Sequence, residues 1–467
     1  MRKQVQMQNV LILIASYFFY GLWDYRFLSL IIISSAVDFV VGKRMHKETN
    51  VATRKWLLGI SLFVNLGFLL VFKYYNFFVD SFTDMLQLFG VTWDTRTLNV
   101  ILPVGISFYT FQTLSYTIDI YRKKLEPSNN VINFFAYVAF FPQLVAGPIE
   151  RASNLLPQFA KERNFNYTRA VDGLRQILWG FFKKVAIADV AAIFVNQIFA
   201  DYQSLSGLII ILGVILFAIQ IYGDFSGYSD IAIGTARLLG FDLMQNFAFP
   251  YFSRDIAEFW RRWHISLSTW FRDYLYIPLG GSRGGMNKTL RNVIIIFVVS
   301  GFWHGANWTF VVWGLLNGLF FIPLLLGGRN RNNLEVVAQD RKLPTIREVM
   351  QILFTFGITC FAWIFFRAES ISHAFYMIKN TFTNMGMNPW ASFKKLDLTN
   401  DNKFIEFPIL ILLIGVMLVF EWLNRRNKHG LEKIKLPLVM RWGLYLVLVF
   451  IVIEYFYSNS AFIYFQF

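Results

Sequence analysis

Charge is scarce in this sequence. Asp, Glu, Lys and Arg make up 16% of its 467 residues, against about a quarter in an ordinary soluble domain, which excludes a soluble globular class. Cysteine is rarer still. Cys360 stands alone inside an apolar run, so an intramolecular disulfide framework and a Cys-based zinc site are both excluded. The usual soluble-enzyme signatures are also missing. GDFSG at Gly223–Gly227 has the wrong spacing for a nucleophile elbow, and no HExxH occurs. GGSRGGMNK at Gly280–Lys288 lacks the Lys-Ser/Thr pair of a phosphate loop and reads as a flexible turn between two inserted helices.

What the chain has instead is apolar surface. Hydrophobic residues are 56% of it, aromatic residues 19%, and Phe occurs 52 times. A run that crosses a bilayer needs about 20 residues, and several occur from one end to the other. The class is an all-α, polytopic membrane protein with about 10–11 transmembrane helices plus re-entrant and amphipathic ones. Every part spans or dips, so residues 1–467 form a single integral-membrane domain. The net charge of +15 does not point to nucleic acid, because the basic residues alternate with spans instead of forming one patch. Lys and Arg retained in cytoplasmic loops explain it.

Taken in order, a helical hairpin turns at GLWDYR, with its second run at Phe27–Val41, and ends in the basic loop GKRMHKETNVATRK. A span at about Trp56–Tyr74 leads to an outer loop holding Asp80, Asp84 and Asp94, and Leu98–Ile120 returns to the basic RKKLEPS. Asn133–Pro148 is short and carries Pro142, Gly147 and Pro148, the pattern of a broken segment, which is tolerated at depth only beside protein or a cavity. Arg151–Arg169 is polar and cytoplasmic. Ala170–Phe199 and Ser206–Tyr222 form a pair of spans, and from Gly223 to Arg291 short apolar pieces alternate with arginines, as in partly inserted amphipathic helices. Further spans fall at Asn292–Trp303, Trp308–Leu326, Ile346–Phe366, Phe404–Leu423 and Leu438–Tyr457. A cytoplasmic N-terminus puts the basic loops on one side, with Arg367–Lys403 ambiguous.

Chemistry concentrates in Phe259–Trp308, which holds two of the five histidines. His264 follows Trp260, Arg261, Arg262 and Trp263. His304 lies in SGFWHGANW at the end of an apolar run. An imidazole at membrane depth is costly and needs a reason. One reading is a helix-packing hydrogen bond; the other is a general base for a hydroxyl or thiol, with His264 converging on it. The glycines flanking His304 leave room for a reactant beside the ring, which favours the second. The Trp-Arg-Arg-Trp cluster reads either as an interfacial belt or as a fork for a phosphate-bearing donor. Asp224 and Asp230 either anchor an arginine or line a cavity. His46 and His429 sit in basic, solvated loops, and His373 on the surface.

LPVGISFYTFQTLSYTIDIYR, FFPQLVAGPIER, YGDFSGYSDIAIGTARLLGF, NFAFPYFSRDIAEFWRRWHISLSTWFRDYLYIPLGG, SGFWHGANWTFVVWGLLNG and the closing FIYFQF together resemble the membrane-bound O-acyltransferase (MBOAT) family, in its bacterial branch of alginate O-acetylase-type proteins. The resemblance covers nearly the whole chain. It implies helices around a central funnel, with His304 as the catalytic histidine and His264 as its partner. Trp260, Arg261, Arg262, Trp303, Asn307 and Asp224 are the candidate substrate-binding residues. It implies no bound cofactor and no metal, with acetyl-CoA as the acyl donor. It further implies a cytoplasmic-membrane location among membrane lipid, a polysaccharide acceptor and an SGNH-type acetyltransferase partner outside the membrane. Related chains usually begin with one more apolar helix than this one shows. Two alternatives remain: carrier-protein-dependent D-alanyl transfer to a teichoic-acid-type polymer, and a transporter without acyl chemistry.

Overall fold

The computed structural model describes residues 4–93, 97–98, 101–396, 399–400, 403–404 and 407–456. Asp94 and the closing FIYFQF lie outside them, as does the last residue of the expected Leu438–Tyr457 span. Helices dominate, joined by one two-residue strand pair in which Thr399 faces Phe404 and Asn400 faces Lys403. Among the described residues six helices are long and apolar enough to cross a membrane. The protein is a polytopic, all-helical membrane protein, as its hydropathy requires. Its contacts gather into two units, one of residues 1–170 with 235–244 and one of 171–234 with 245–467.

The first unit opens with Val5–Lys47, a run of 43 residues broken at Asp24, whose φ of −161° and ψ of 109° are not helical. At 1.5 Å per residue an unbroken helix of that length would measure about 65 Å, twice the bilayer core. Instead it folds back on itself. Asn9 donates to Asn133 Oδ1 at 2.8 Å, and Phe39 packs on the neighbouring Phe134 at 5.6 Å between ring centroids. These residues lie equally far before and after Asp24, so the two arms meet the same place. Asp24 Oδ1 accepts the Arg26 backbone N–H at 2.9 Å, which caps the second arm. The hairpin read from GLWDYR is therefore present, with Asp24 as its turn. Two boundaries differ from expectation. Val51–Leu69 continues through a π-helical turn at Leu70–Tyr74 to Leu88, so Asp80 and Asp84 are helical and not in a loop. The next helix starts only at Ile106, because Pro103 interrupts the backbone donors and Gly105 turns left-handed at φ 76°. The short segment breaks as its prolines suggest, into Val131–Val138 and Phe141–Leu144. Inside the unit, Asp38 is buried but accepts from Ser61 and Asn65, satisfying a charge that lipid could not.

In the second unit the helices Tyr167–Phe181 and Gly207–Leu238, apart from their ends at 167–170 and 235–238, cross through glycines. A Cβ on Gly180 would lie 2.6 Å from the Gly227 carbonyl oxygen, and one on Gly227 would lie 2.8 Å from that of Gly180. Small residues of this kind let backbones approach where no hydrophobic force separates helix from lipid. Gly207–Leu238 runs 16 residues beyond the expected end at Tyr222, so YGDFSGYSD is mid-helix. Its aspartates are neutralised by lysines, not by the arginines suggested above: Asp224 meets Lys184 at 2.5 Å and Asp230 meets Lys183 at 2.7 Å. Two seven-residue helices follow, Ile256–Arg262 and Ile265–Phe271. The glycine run is a turn, with Gly280, Gly281, Gly284 and Gly285 all at positive φ. It leads into the paired helices Met286–His304 and Trp308–Leu326. Ile346–Arg367, Ile371–Thr383, Pro389–Phe393, Phe407–Leu423 and Leu438–Tyr455 follow. His429 departs from the solvated placement: it is buried, its Nε2 3.1 Å from Asp172.

Candidate active site

His264 occupies the joint between the two seven-residue helices, neither of which spans. Its backbone is left-handed (φ 45°, ψ 55°), a conformation that costs a non-glycine residue about 1 kcal/mol or more. Asn246 holds it there. The Asn246 carbonyl accepts from Ile265 N at 2.9 Å, and its side-chain Oδ1 receives Ser266 N at 3.3 Å and Ser266 Oγ at 2.8 Å. A backbone N–H can only donate, so the oxygen of the amide faces this side. The same Oδ1 lies 3.1 Å from His264 Nδ1, which must therefore carry the proton. The Asn246 amide nitrogen donates to Ser229 Oγ at 3.1 Å, fixing the group from behind. Burial pushes the imidazole pKa well below its usual value, because the charged form loses its hydration. His264 is thus a neutral ring with its proton on Nδ1 and its lone pair on Nε2.

His304 ends the Met286–His304 helix and is likewise buried. Aromatic edges surround it. Trp313 lies 5.1 Å from its ring centroid at 87°, Phe366 5.4 Å away at 70°, and Trp303 4.9 Å away at 76°. The two imidazole centroids are 6.3 Å apart, and Trp303 also approaches His264 at 6.1 Å. The convergence expected of the pair is present in the fold. The flanking glycines serve a different purpose from the one inferred above. A Cβ on Gly301 would sit 2.2 Å from the Phe310 carbonyl oxygen, and one on Gly305 would strike the Phe310 ring at 2.1 Å. The space beside these glycines is filled by the next helix, which brings Trp313 against His304.

The other candidates are distributed around this pair. Trp260 packs on Trp313 at 5.8 Å, one ring removed from His304. Arg261 donates to the carbonyls of Asn330 and Asn333 at 2.9 and 2.7 Å. Arg262 forms an ion pair with Glu258 at 2.8 Å, and Arg254 shares that carboxylate. Asn307 caps the Trp308–Leu326 helix through Thr309 N and donates to the Glu369 carbonyl. Asp224 faces Lys184, while its neighbour Phe225 presents a ring edge to His264 at 4.6 Å. Sequence reasoning missed Asn246, Ser266, Trp313 and Phe366. Asp230 borders a small cleft with Asn246, Ser229, Ser226, Lys183 and Tyr222, in keeping with the cavity-lining alternative given for it above. Lys183 there donates to Ser226 Oγ at 2.8 Å, and Tyr222 donates to buried Glu421 at 2.9 Å. Among the described residues no group of three or more His, Cys, Asp and Glu side chains could hold a metal ion.

Comparison with known proteins joins this geometry to a family. The family described as MBOAT, membrane-bound O-acyltransferase, matches residues 122–366, a range that includes both histidines. The probable alginate O-acetylase AlgI of Pseudomonas aeruginosa is 41% identical over 380 residues, covering 80% of this chain and 70% of that protein. The peptidoglycan O-acetyltransferase of Helicobacter pylori is 32% identical over 499 aligned positions, covering 98% and 91%. At greater distance, the teichoic acid D-alanyltransferase of Streptococcus thermophilus is 28% identical over 301 residues, covering 61% and 72%. With two buried imidazoles brought together by broken central helices, and with these relatives along most of its length, the chain belongs to the membrane-bound O-acyltransferase family.

Proposed function

We propose that this protein is an O-acetyltransferase of the bacterial cytoplasmic membrane, serving the O-acetylation of an exported or cell-envelope polysaccharide. The relatives named as alginate and peptidoglycan O-acetylating proteins support that reading. The observation that carries the catalytic assignment is the 6.3 Å approach of His264 and His304 in a shell of aromatic rings. In this reading His304 is the catalytic base. It takes the proton of an acceptor hydroxyl as that oxygen attacks the thioester carbonyl of acetyl-CoA. The new C–O ester bond forms, the C–S bond breaks, and the proton returns to the thiolate, giving the acetyl ester and CoA. His264, neutral and with its lone pair on Nε2, assists from the second position. The Trp313 and Phe366 edges keep water from the thioester, suppressing hydrolysis. In this reading the acceptor hydroxyl belongs to an SGNH-type partner outside the membrane, and a polymer hydroxyl then attacks that ester, forming the polymer's acetyl ester and restoring the partner's hydroxyl.

Purified protein in vesicles, incubated with radiolabelled acetyl-CoA, tests this directly. Label transfer or release that disappears in His304→Ala, with insertion and expression unchanged, supports it. Full transfer by that variant overturns the assignment of His304. Label carried only from a D-alanyl carrier-protein thioester would move the protein to the chemistry named for its teichoic-acid relative.

A further inference from the structure

The first unit, which contains neither His264 nor His304, holds a cleft of its own. A cleft of about 260 Å³ is lined by Arg163, Arg169 and Arg237, with Leu11, Phe165 and Leu239 as its apolar wall. No Asp or Glu lines it. Arg163 is the least conventional of the three. It lies over the Phe241 ring at 4.6 Å and donates to Asn9 Oδ1 at 2.6 Å and to the Gln158 carbonyl. All of these partners are neutral, and among the described residues no carboxylate forms an ion pair with Arg163. Arg169 is paired only at the surface, with Asp242 at 2.7 Å.

The cleft lies at one end of the helical hairpin. Asn9 bonds to Asn133 and to the Phe159 carbonyl, and Lys43 reaches the Asn129 carbonyl. These contacts bring the basic connections after Lys43, after Arg122 and before Arg169 to one level, which is the cytoplasmic one by the positive-inside rule. From Leu11 a stripe of open apolar side chains climbs the first arm. Leu11, Ile14, Phe18 and Leu22 are 55%, 61%, 67% and 71% exposed, at a spacing that keeps them on one helix face. A cationic headgroup pocket therefore continues into a lipid-facing stripe.

We infer that this cleft is a binding site for an anionic phospholipid of the cytoplasmic leaflet, its phosphate held by Arg163, Arg169 and Arg237 and an acyl chain lying along Leu11, Ile14, Phe18 and Leu22. A guanidinium fork suits a phosphate geometrically, and each basic residue near an anionic surface contributes about 1 kcal/mol, or about five-fold in affinity. This site is independent of the catalytic assignment above.

Native mass spectrometry of the full-length protein, equilibrated with equal amounts of phosphatidylglycerol and phosphatidylcholine, reads the proposal. Retention of phosphatidylglycerol at least about five-fold over phosphatidylcholine is expected, with loss of that preference in Arg163→Ala. Should Arg163→Ala fail to insert, because Asn9 loses its donor, the double variant Arg169→Glu/Arg237→Glu keeps that bond and must abolish the preference. Equal retention of the two lipids by the unaltered protein overturns the proposal. So does a preference that survives the double variant. Displacement of bound phosphatidylglycerol by millimolar CoA or inorganic phosphate would assign the cleft to a water-soluble anion and would also overturn it.

Discussion

The two imidazoles of the candidate site have different described surroundings. Asn246 and Ser266 fix His264 through polar bonds, and a strained backbone turn is retained in exchange. Around His304 three aromatic rings, Trp313, Phe366 and Trp303, meet the imidazole at steep angles. At His264 the hydrogen bonds specify which ring nitrogen carries the proton, and at His304 the aromatic rings specify where the imidazole sits.

The largest expected effect comes from removing the proposed base. His304→Ala should lower acetyl transfer by about 10⁴-fold, the upper range for general base catalysis, with donor affinity measured by calorimetry nearly unchanged. His264→Ala should cost less, about 10²-fold; a loss equal to that of His304→Ala would erase the division of roles. Asn246→Leu should lower kcat by about ten-fold, since it removes the acceptor that sets the tautomer. Asn246→Asp keeps an acceptor but adds a negative charge facing Nδ1–H. That charge favours imidazolium and raises the His264 pKa, so the acidic limb of the pH–rate profile should move to higher pH. An unmoved limb would mean that Asn246 is only a structural support. Smallest in rate but visible in stability is Gly314→Ala. Its Cβ would sit 2.3 Å from the Phe297 carbonyl oxygen, and the overpacking should cost about 1–3 kcal/mol in thermal unfolding in detergent.

Much of this protein is legible along the chain. The Trp308–Leu326 helix has the boundaries its hydropathy suggests, and the turn at GLWDYR follows from two apolar runs too long for a single pass. Legibility fails where a local feature has two uses. Pro103 and Gly105 shorten a helix that apolar content alone would begin at Leu98. Gly301 and Gly305 look equally suited to admitting a reactant and to admitting a helix, and only the position of Phe310 decides between them. Arg261 and Arg262 have the composition of a phosphate fork, yet their guanidinium groups meet carbonyl oxygens and Glu258 within the protein. Asn246 carries no local signal: it lies in a connecting segment, 18 residues before the ring it orients.

The sequence by itself determined the class of the protein, several of its long apolar helices and the pair of histidines worth following. Those follow from transfer free energy and charge, which accumulate residue by residue along the chain and need no knowledge of its path. Tertiary structure alone decided the 6.3 Å between the rings, the proton on His264 Nδ1, the aromatic shell of His304 and the arginine cleft beside Leu11. Each depends on contacts between segments distant in the chain. A hydrogen bond or a ring edge acts only over a few ångströms, so only the folded backbone path can assign its partner.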